Sequence, residues 1–207
     1  MYELIIKGGP VMWPLLACSV VALAVVFERL FFWLTLGVHK NQPLINRIFT
    51  LTEEGNFDVA IREGEGSKCL ITRILTTGLA HRNYGLVQSL EAAALSEIEK
   101  MKRNLAVLDT IITLAPLLGI LGTVTGIIGS FDLLGAAGLE DPKAVTGGIA
   151  QALITTAAGL AIAIVALLPY NALVRKVEKV TRHLEQLVTC YEVTVQKGVE
   201  KNLKQNN

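Results

Sequence analysis

The sequence predicts an all-α integral membrane protein with three transmembrane helices, the second and third extended into the cytoplasm as long helices. Three observations carry this expectation. Of 207 residues, 52% are hydrophobic and 18% charged, and the mean hydropathy of +0.50 is high for a soluble domain. The excess sits in three charge-free runs, Gly8 to Phe27 (20 residues), Thr110 to Phe131 (22) and Ala144 to Val174 (31). Each is long enough to cross a hydrocarbon core of about 30 Å as a helix. Finally, 17 of the 19 Lys and Arg residues lie between the first and second runs, after the third, or at the end of the first; only Lys7 and Lys143 fall elsewhere. Because positive residues stay on the inner side, the N-terminus is expected outside and the C-terminus inside.

Residues 1–10 form an outer tail and 11–36 the first span. That span continues through Glu28-Arg29 into 30-LFFWLTLGV-38 with no small-x-small exit, so it reads as a retained anchor rather than a cleaved leader. Residues 37–104 form an inner insertion of small packed helices. Pro43 opens the first through 44-LINRIFTLTEE-54 and Gly55-Asn56 ends it. A second starts at Phe57 and stops at 63-EGEG-66, and a third runs from Ser67 to Arg82, closed by 83-NYG-85. From Val87 the apolar positions Leu90, Ala94, Ile98, Met101, Leu105 and Leu108 keep helical spacing, with Glu91, Glu97, Glu99, Lys100, Lys102 and Arg103 on other faces. Nothing in that pattern predicts a break before the second span, 105–134, in which Pro116 is placed to kink the helix. Asp141-Pro142 in the outer loop, 135–144, favours a turn and a helix start. The third span, 145–170, leads into a final helix, 171–207. There Val174, Val177, Thr181, Leu184, Val188, Tyr191 and Val195 form a near-heptad stripe, expected to bury against the other long helix or a neighbouring copy.

The two inner spans carry small and polar residues in register. Gly119, Gly122, Gly126 and Gly129 recur on one face of the second, with Thr123 and Ser130 beside them; Gly148, Ala152, Thr155, Thr156 and Gly159 do the same in the third. Such spacing lets helix backbones approach closely in lipid. A threonine hydroxyl can hide by bonding a carbonyl one turn back, which is the simplest reading of Thr123, Thr125, Thr155 and Thr156 taken singly. Gln151 is harder to hide, since burying its amide unpaired costs on the order of 2–7 kcal/mol. At membrane depth its face, shared with Thr155, must meet protein or water. No Asp, Glu, His, Lys or Arg interrupts Thr110–Phe131 or Ala144–Val174, and Asp109 and Asp132 stand only at the ends of the second span. A self-sufficient proton relay needs an ionisable group in the membrane. If protons move here, the titrating carboxylate comes from another chain.

Other chemistries find little footing. Cys18, Cys69 and Cys190 lack paired spacing, and His39, His81 and His183 are isolated, so neither a disulfide framework nor a metal or cofactor site is expected. The span glycines are not followed by Lys-Ser/Thr, as a phosphate loop requires, and no enzyme site is expected. The clusters Lys100-Lys102-Arg103 and Arg175-Lys176-Lys179 fit anionic lipid head groups better than nucleic acid, which would need more basic charge and aromatic platforms.

The runs 115-APLLGILGTVTGIIGSF-131, 138-GLEDPKAV-145 and 147-GGIAQALITTAAGLAIAI-164, followed by 170-YN-171, with 27-FERL-30 upstream, resemble the ExbB/TolQ/MotA proton-channel family. Length and span number point to its ExbB/TolQ-like branch. The resemblance implies a homopentamer in the bacterial inner membrane, with a periplasmic N-terminus, around the single transmembrane helices of an ExbD/TolR-like partner that supplies a membrane aspartate. Proton flow past that aspartate would drive mechanical work on the envelope. By motif, Thr123 and Thr156 match pore threonines of the family, with Thr155 and Gln151 beside them. Two departures stand out: Gln151 occupies a position where many relatives carry glutamate, and 163-AIVA-166 lacks the family's proline, the nearest being Pro169. A non-conducting membrane scaffold for a single-span partner is the competing expectation, because the same small-residue faces would serve it.

Overall fold

The computed structural model describes residues 8–36, 41–137 and 142–205, and among these it is helical with short turns and no strand. The helices are α1 (Met12–Thr35), α2 (Gln42–Glu53), α3 (Phe57–Gly64), α4 (Leu70–Ala80), α5 (Leu86–Lys102), α6 (Leu105–Ala137) and α7 (Pro142–Gln205), with a 3-10 turn at Arg82–Tyr84 between α4 and α5. The expected outer turn at Asp141 and the segment 37–40 lie outside the described residues. Contacts divide the chain into two units, Met1–Leu30 with Asn104–Leu173, and Phe31–Arg103 with Val174–Asn207.

The first unit holds the greater part of α1, all of α6 and the first half of α7. Three helices, α1 among them, are long and apolar enough to cross a membrane. In α1 only Met12, Leu15, Ala22 and Arg29 are buried, a single narrow stripe, and Trp13, Val20, Leu23 and Phe27 stand exposed. An apolar surface of that extent is stable in lipid and not in water. Arg29 is 2% exposed; its Nε donates to Glu28 Oε2 at 2.6 Å, and Asn104 Nδ2 donates to the same oxygen at 3.2 Å. The buried guanidinium persists because Glu28, itself held by Asn104, pairs with it.

The sequence pattern predicts one continuous helix entering the second span, and here the structure differs. α5 ends at Lys102 and α6 begins at Leu105. Asn104 between them has φ 62°, in the left-handed region. Asparagine tolerates that conformation better than most residues, so the apolar periodicity survives a break in the backbone that it does not reveal. α7, by contrast, runs 64 residues with Pro169 inside it. About 20 residues suffice to cross a bilayer, so this helix must continue well beyond the hydrocarbon.

The second unit packs α2 to α5 with the last half of α7. α2 starts with Pro43 in its first turn, where the missing N–H costs nothing. It closes on Gly55 at φ +83°. Asn56 N–H bonds Leu51 O at 2.8 Å and Gly55 N–H bonds Thr52 O at 3.1 Å, the paired bonds of a Schellman end. α4 buries Leu70, Ile71, Ile74, Leu75 and Leu79 to 2% exposure or less, and forms the centre of this core. The α7 stripe is buried at Val177, Leu184, Val188, Tyr191 and Val195. Its partner includes α2: the Phe49 and Tyr191 rings meet edge-on at 5.0 Å. Glu97, expected on a polar face, is instead 8% exposed. Arg73 of α4 pairs with it, and Lys100 reaches it at 2.7 Å.

The Tyr191 hydroxyl lies 2.8 Å from Thr52 Oγ1, and both residues are fully buried. Burial pushes the phenol above its ordinary value of 10.0, and the Thr52 hydrogen bond partly opposes it. A phenol held above its unfolded value binds its proton more tightly when folded. Its contribution is therefore complete below about pH 10 and fades as pH rises further. Tyr191→Phe should lower stability by about 1–2 kcal/mol by stranding the Thr52 hydroxyl. Adding Thr52→Val should recover most of that loss in thermal unfolding of the detergent-solubilised protein.

Candidate functional site: the α6–α7 seam

Where α6 and α7 meet, the backbones touch without large side chains between them. The pairing runs antiparallel. A methyl group placed on Gly159 would come within 2.4 Å of the Ala115 carbonyl oxygen, and one on Gly119 within 3.0 Å of Thr156 Cα. One on Gly122 would strike the Thr155 side chain at 2.4 Å, one on Gly126 would meet Ala152 at 3.0 Å, and one on Gly148 would reach Ser130 Oγ at 2.1 Å. Five of the six glycines expected to pack helices lie on this seam. Gly129 does not: a methyl there would meet nothing within 4 Å, because the helical turn carries it off the contact line.

The seam sorts the hydroxyls. Thr155 is 1% exposed, and its Oγ1 donates back to Ala152 O at 2.8 Å, with Gln151 O at 3.3 Å. Expected to line a pathway, Thr155 is sealed between the two helices of one chain, since its position faces Gly122. Ser130 is likewise buried and donates to Gly126 O at 2.9 Å, and Thr125 bonds Leu121 O and Gly122 O on its own helix. Gln151 meets a different neighbour. A methyl on Gly9 would lie 2.0 Å from its Nε2, so the amide fills the space over the turn that precedes α1. That placement gives the amide protein to meet, from a different segment than the one Thr155 faces.

Thr123 and Thr156 do come together. Their hydroxyl oxygens lie 2.9 Å apart, each half-buried. Both also reach one acceptor, the Gly119 carbonyl, at 3.1 Å from Thr123 and 3.0 Å from Thr156. Three edges therefore compete for two hydroxyl protons. At any moment one edge lacks a proton, and exchanging which edge that is requires hydroxyl rotation alone. Gly119 matters twice: its missing side chain admits Thr156, and its carbonyl anchors the pair. The sequence signalled the first role by glycine spacing but not the second, since backbone acceptors leave no compositional trace.

Among the described residues no group of three or more His, Cys, Asp or Glu is placed to hold a metal ion. What the seam offers is a neutral, hydroxyl-bearing surface in an apolar pair of helices. These features define a multi-pass α-helical membrane protein built around a closely packed helix hairpin. The chain belongs to the MotA/TolQ/ExbB proton channel family, which it matches over residues 67–186, a segment containing the whole seam. It is 41% identical over 177 residues to the putative biopolymer transport protein ExbB-like 1 of Synechocystis sp., covering 82% of this chain and 68% of that protein. It is 34% identical to the putative ExbB-like 3 protein of the same organism, over 79% of this chain and 80% of that protein. Against the Tol-Pal system protein TolQ of Haemophilus influenzae the identity is 36%, over 46% of this chain and 42% of that protein.

The glycines make opposite forecasts. Gly159→Ala meets a backbone carbonyl that cannot swing away, and should destabilise the protein by about 1–3 kcal/mol. Gly129→Ala should leave the stability of the single chain within about 0.5 kcal/mol. Thermal unfolding of both variants in the same detergent separates them.

Proposed function

We propose that this chain is a subunit of a proton-motive-force-driven motor in the bacterial inner membrane. Copies of it, five by family resemblance, surround the transmembrane helices of a single-span ExbD/TolR-like partner and couple proton flow to mechanical work on the envelope. The N-terminus lies in the periplasm and the C-terminal part of α7 in the cytoplasm. The observation that carries the reading is the triangle of Thr123, Thr156 and the Gly119 carbonyl within runs 110–131 and 144–174 that hold no Asp, Glu, His, Lys or Arg.

The chemistry follows from what a hydroxyl does. It does not titrate near neutrality, so it neither traps nor supplies a proton permanently. It can donate to a carboxylate, which favours the charged form, or accept from a carboxylic acid. A partner aspartate brought to the triangle takes a proton from the outer side and becomes neutral, so its desolvation cost falls. Losing that proton toward the inner side restores the carboxylate, which the hydroxyls then stabilise. The spare edge of the triangle lets either state be met without moving a helix.

The names of the relatives support biopolymer transport or the Tol-Pal system as the process served. One feature favours the scaffold alternative: all three edges close within a single chain, as helix packing alone would require. Proton flux into vesicles containing the chain and its partner discriminates the two. The motor reading expects Thr156→Val to reduce flux at least tenfold while the assembled mass and the partner remain unchanged. It also expects the same loss on neutralising the partner's membrane carboxylate. Flux unaffected by both changes leaves the scaffold.

A further inference from the structure

In the second unit, the end of α1 and one face of α7 enclose a cleft of about 550 Å³. Lys176, Lys179 and Arg182, one turn apart, line it together with His183 and Gln186, and Trp33 closes it. No carboxylate is among its described lining residues. Five other cations of this unit have carboxylate partners: Arg73 and Lys100 with Glu97, Arg82 with Asp58, Arg47 with Glu63, and Lys197 with Glu53. None of the ion pairs among the described residues uses Lys176, Lys179 or Arg182. Three like charges facing one cleft repel unless an anion joins them.

We infer that this cleft binds the phosphate headgroup of an acidic phospholipid. Two further features point to lipid as the source of the anion. The Lys176 ammonium stands 5.6 Å from the Trp33 ring centroid, and tryptophan is the residue that prefers the boundary between acyl chains and headgroups. Its Nε1 is buried with no acceptor in the protein, so the indole sits in an apolar setting beside the cations. Depth agrees. The last apolar run of the sequence ends at Val174, which sets Lys176 and Lys179 roughly 3 and 7 Å further along the helix axis. The headgroup layer spans roughly 5–8 Å on each side of the hydrocarbon. Arg182 lies deeper and reaches back along its long side chain. The lysines neutralise the phosphate, and the Trp33 ring covers the first methylenes.

The site is independent of the proton reading, because none of its residues touches the threonine triangle. The full-length protein in neutral detergent, carrying Trp13→Phe so that Trp33 is the only indole, is titrated separately with phosphatidylglycerol, phosphatidylcholine and inorganic phosphate. The Trp33 emission change is expected to saturate at an at least tenfold lower concentration of phosphatidylglycerol than of phosphatidylcholine. Lys179→Glu with Arg182→Glu should abolish that preference, and Lys102→Glu with Arg103→Glu should retain it. All four positions are exposed; should the charge reversal disturb folding by circular dichroism, Lys176→Gln with Lys179→Gln and Arg182→Gln replaces it. Equal response to the two lipids, or a preference that survives loss of the cations, overturns the proposal. Saturation by inorganic phosphate at the same concentration as phosphatidylglycerol overturns the lipid assignment in favour of a free-anion site.

Discussion

The backbone contact between α6 and α7 sets the conditions for the rest of the membrane unit. Where Gly159 lies against the Ala115 carbonyl and Gly119 against Thr156 Cα, two helices approach more closely than any larger residue would permit. In lipid no hydrophobic gain draws helices together, so contact area and hydrogen bonds must do so. Glycine provides the area. Thr156 provides the bonds across the seam, to the Gly119 carbonyl and the Thr123 hydroxyl, while Ser130 and Thr155 satisfy their hydroxyls on their own helices. Thr123 and Thr156 meet only because Gly119 leaves room, so the same contact supports both stability and the functional surface.

The second unit solves the opposite problem. Its helices are short and face water on one side, so they are held by a buried aliphatic core around α4, with polar bonds at selected points. Glu97 joins α4 and α5 through Arg73 and Lys100, and Thr52 joins α2 to α7 through Tyr191. These groups tolerate burial because each finds a partner. The membrane unit instead excludes ionisable groups from its seam, and the one cation buried among its described residues, Arg29, is held by Glu28 at the helix end. Charge is thus kept where it can be paired, and neutral hydroxyls are used where it cannot.

This division has a functional consequence. Between Thr110 and Phe131 and between Ala144 and Val174 the inner spans hold no Asp, Glu, His, Lys or Arg, and what they offer instead is neutral hydroxyls. Under the proposed function the subunit works through association, and its surfaces divide accordingly. The triangle suits a carboxyl-bearing helix, and the cationic cleft at Trp33 suits the headgroup layer. Gly129, with open space beside it in the single chain, lies off the seam that the other five glycines share.

By itself the sequence determined the helical class, the apolar runs, the short helices of the insertion to within a few residues, and the glycine and threonine register of the two inner spans. It could do so because hydropathy, turn chemistry and 3.6-residue spacing are local properties written in neighbouring letters. The tertiary structure alone decided which hydroxyls pair. Thr155 and Thr156 are adjacent in sequence, but the 100° step between helical positions sends one into the seam and the other to Thr123. It likewise decided that Gln151 covers Gly9, that Glu97 is buried, and that the chain breaks at Asn104. Each of those outcomes depends on which backbone another segment brings alongside, a relation between distant residues that no local pattern encodes.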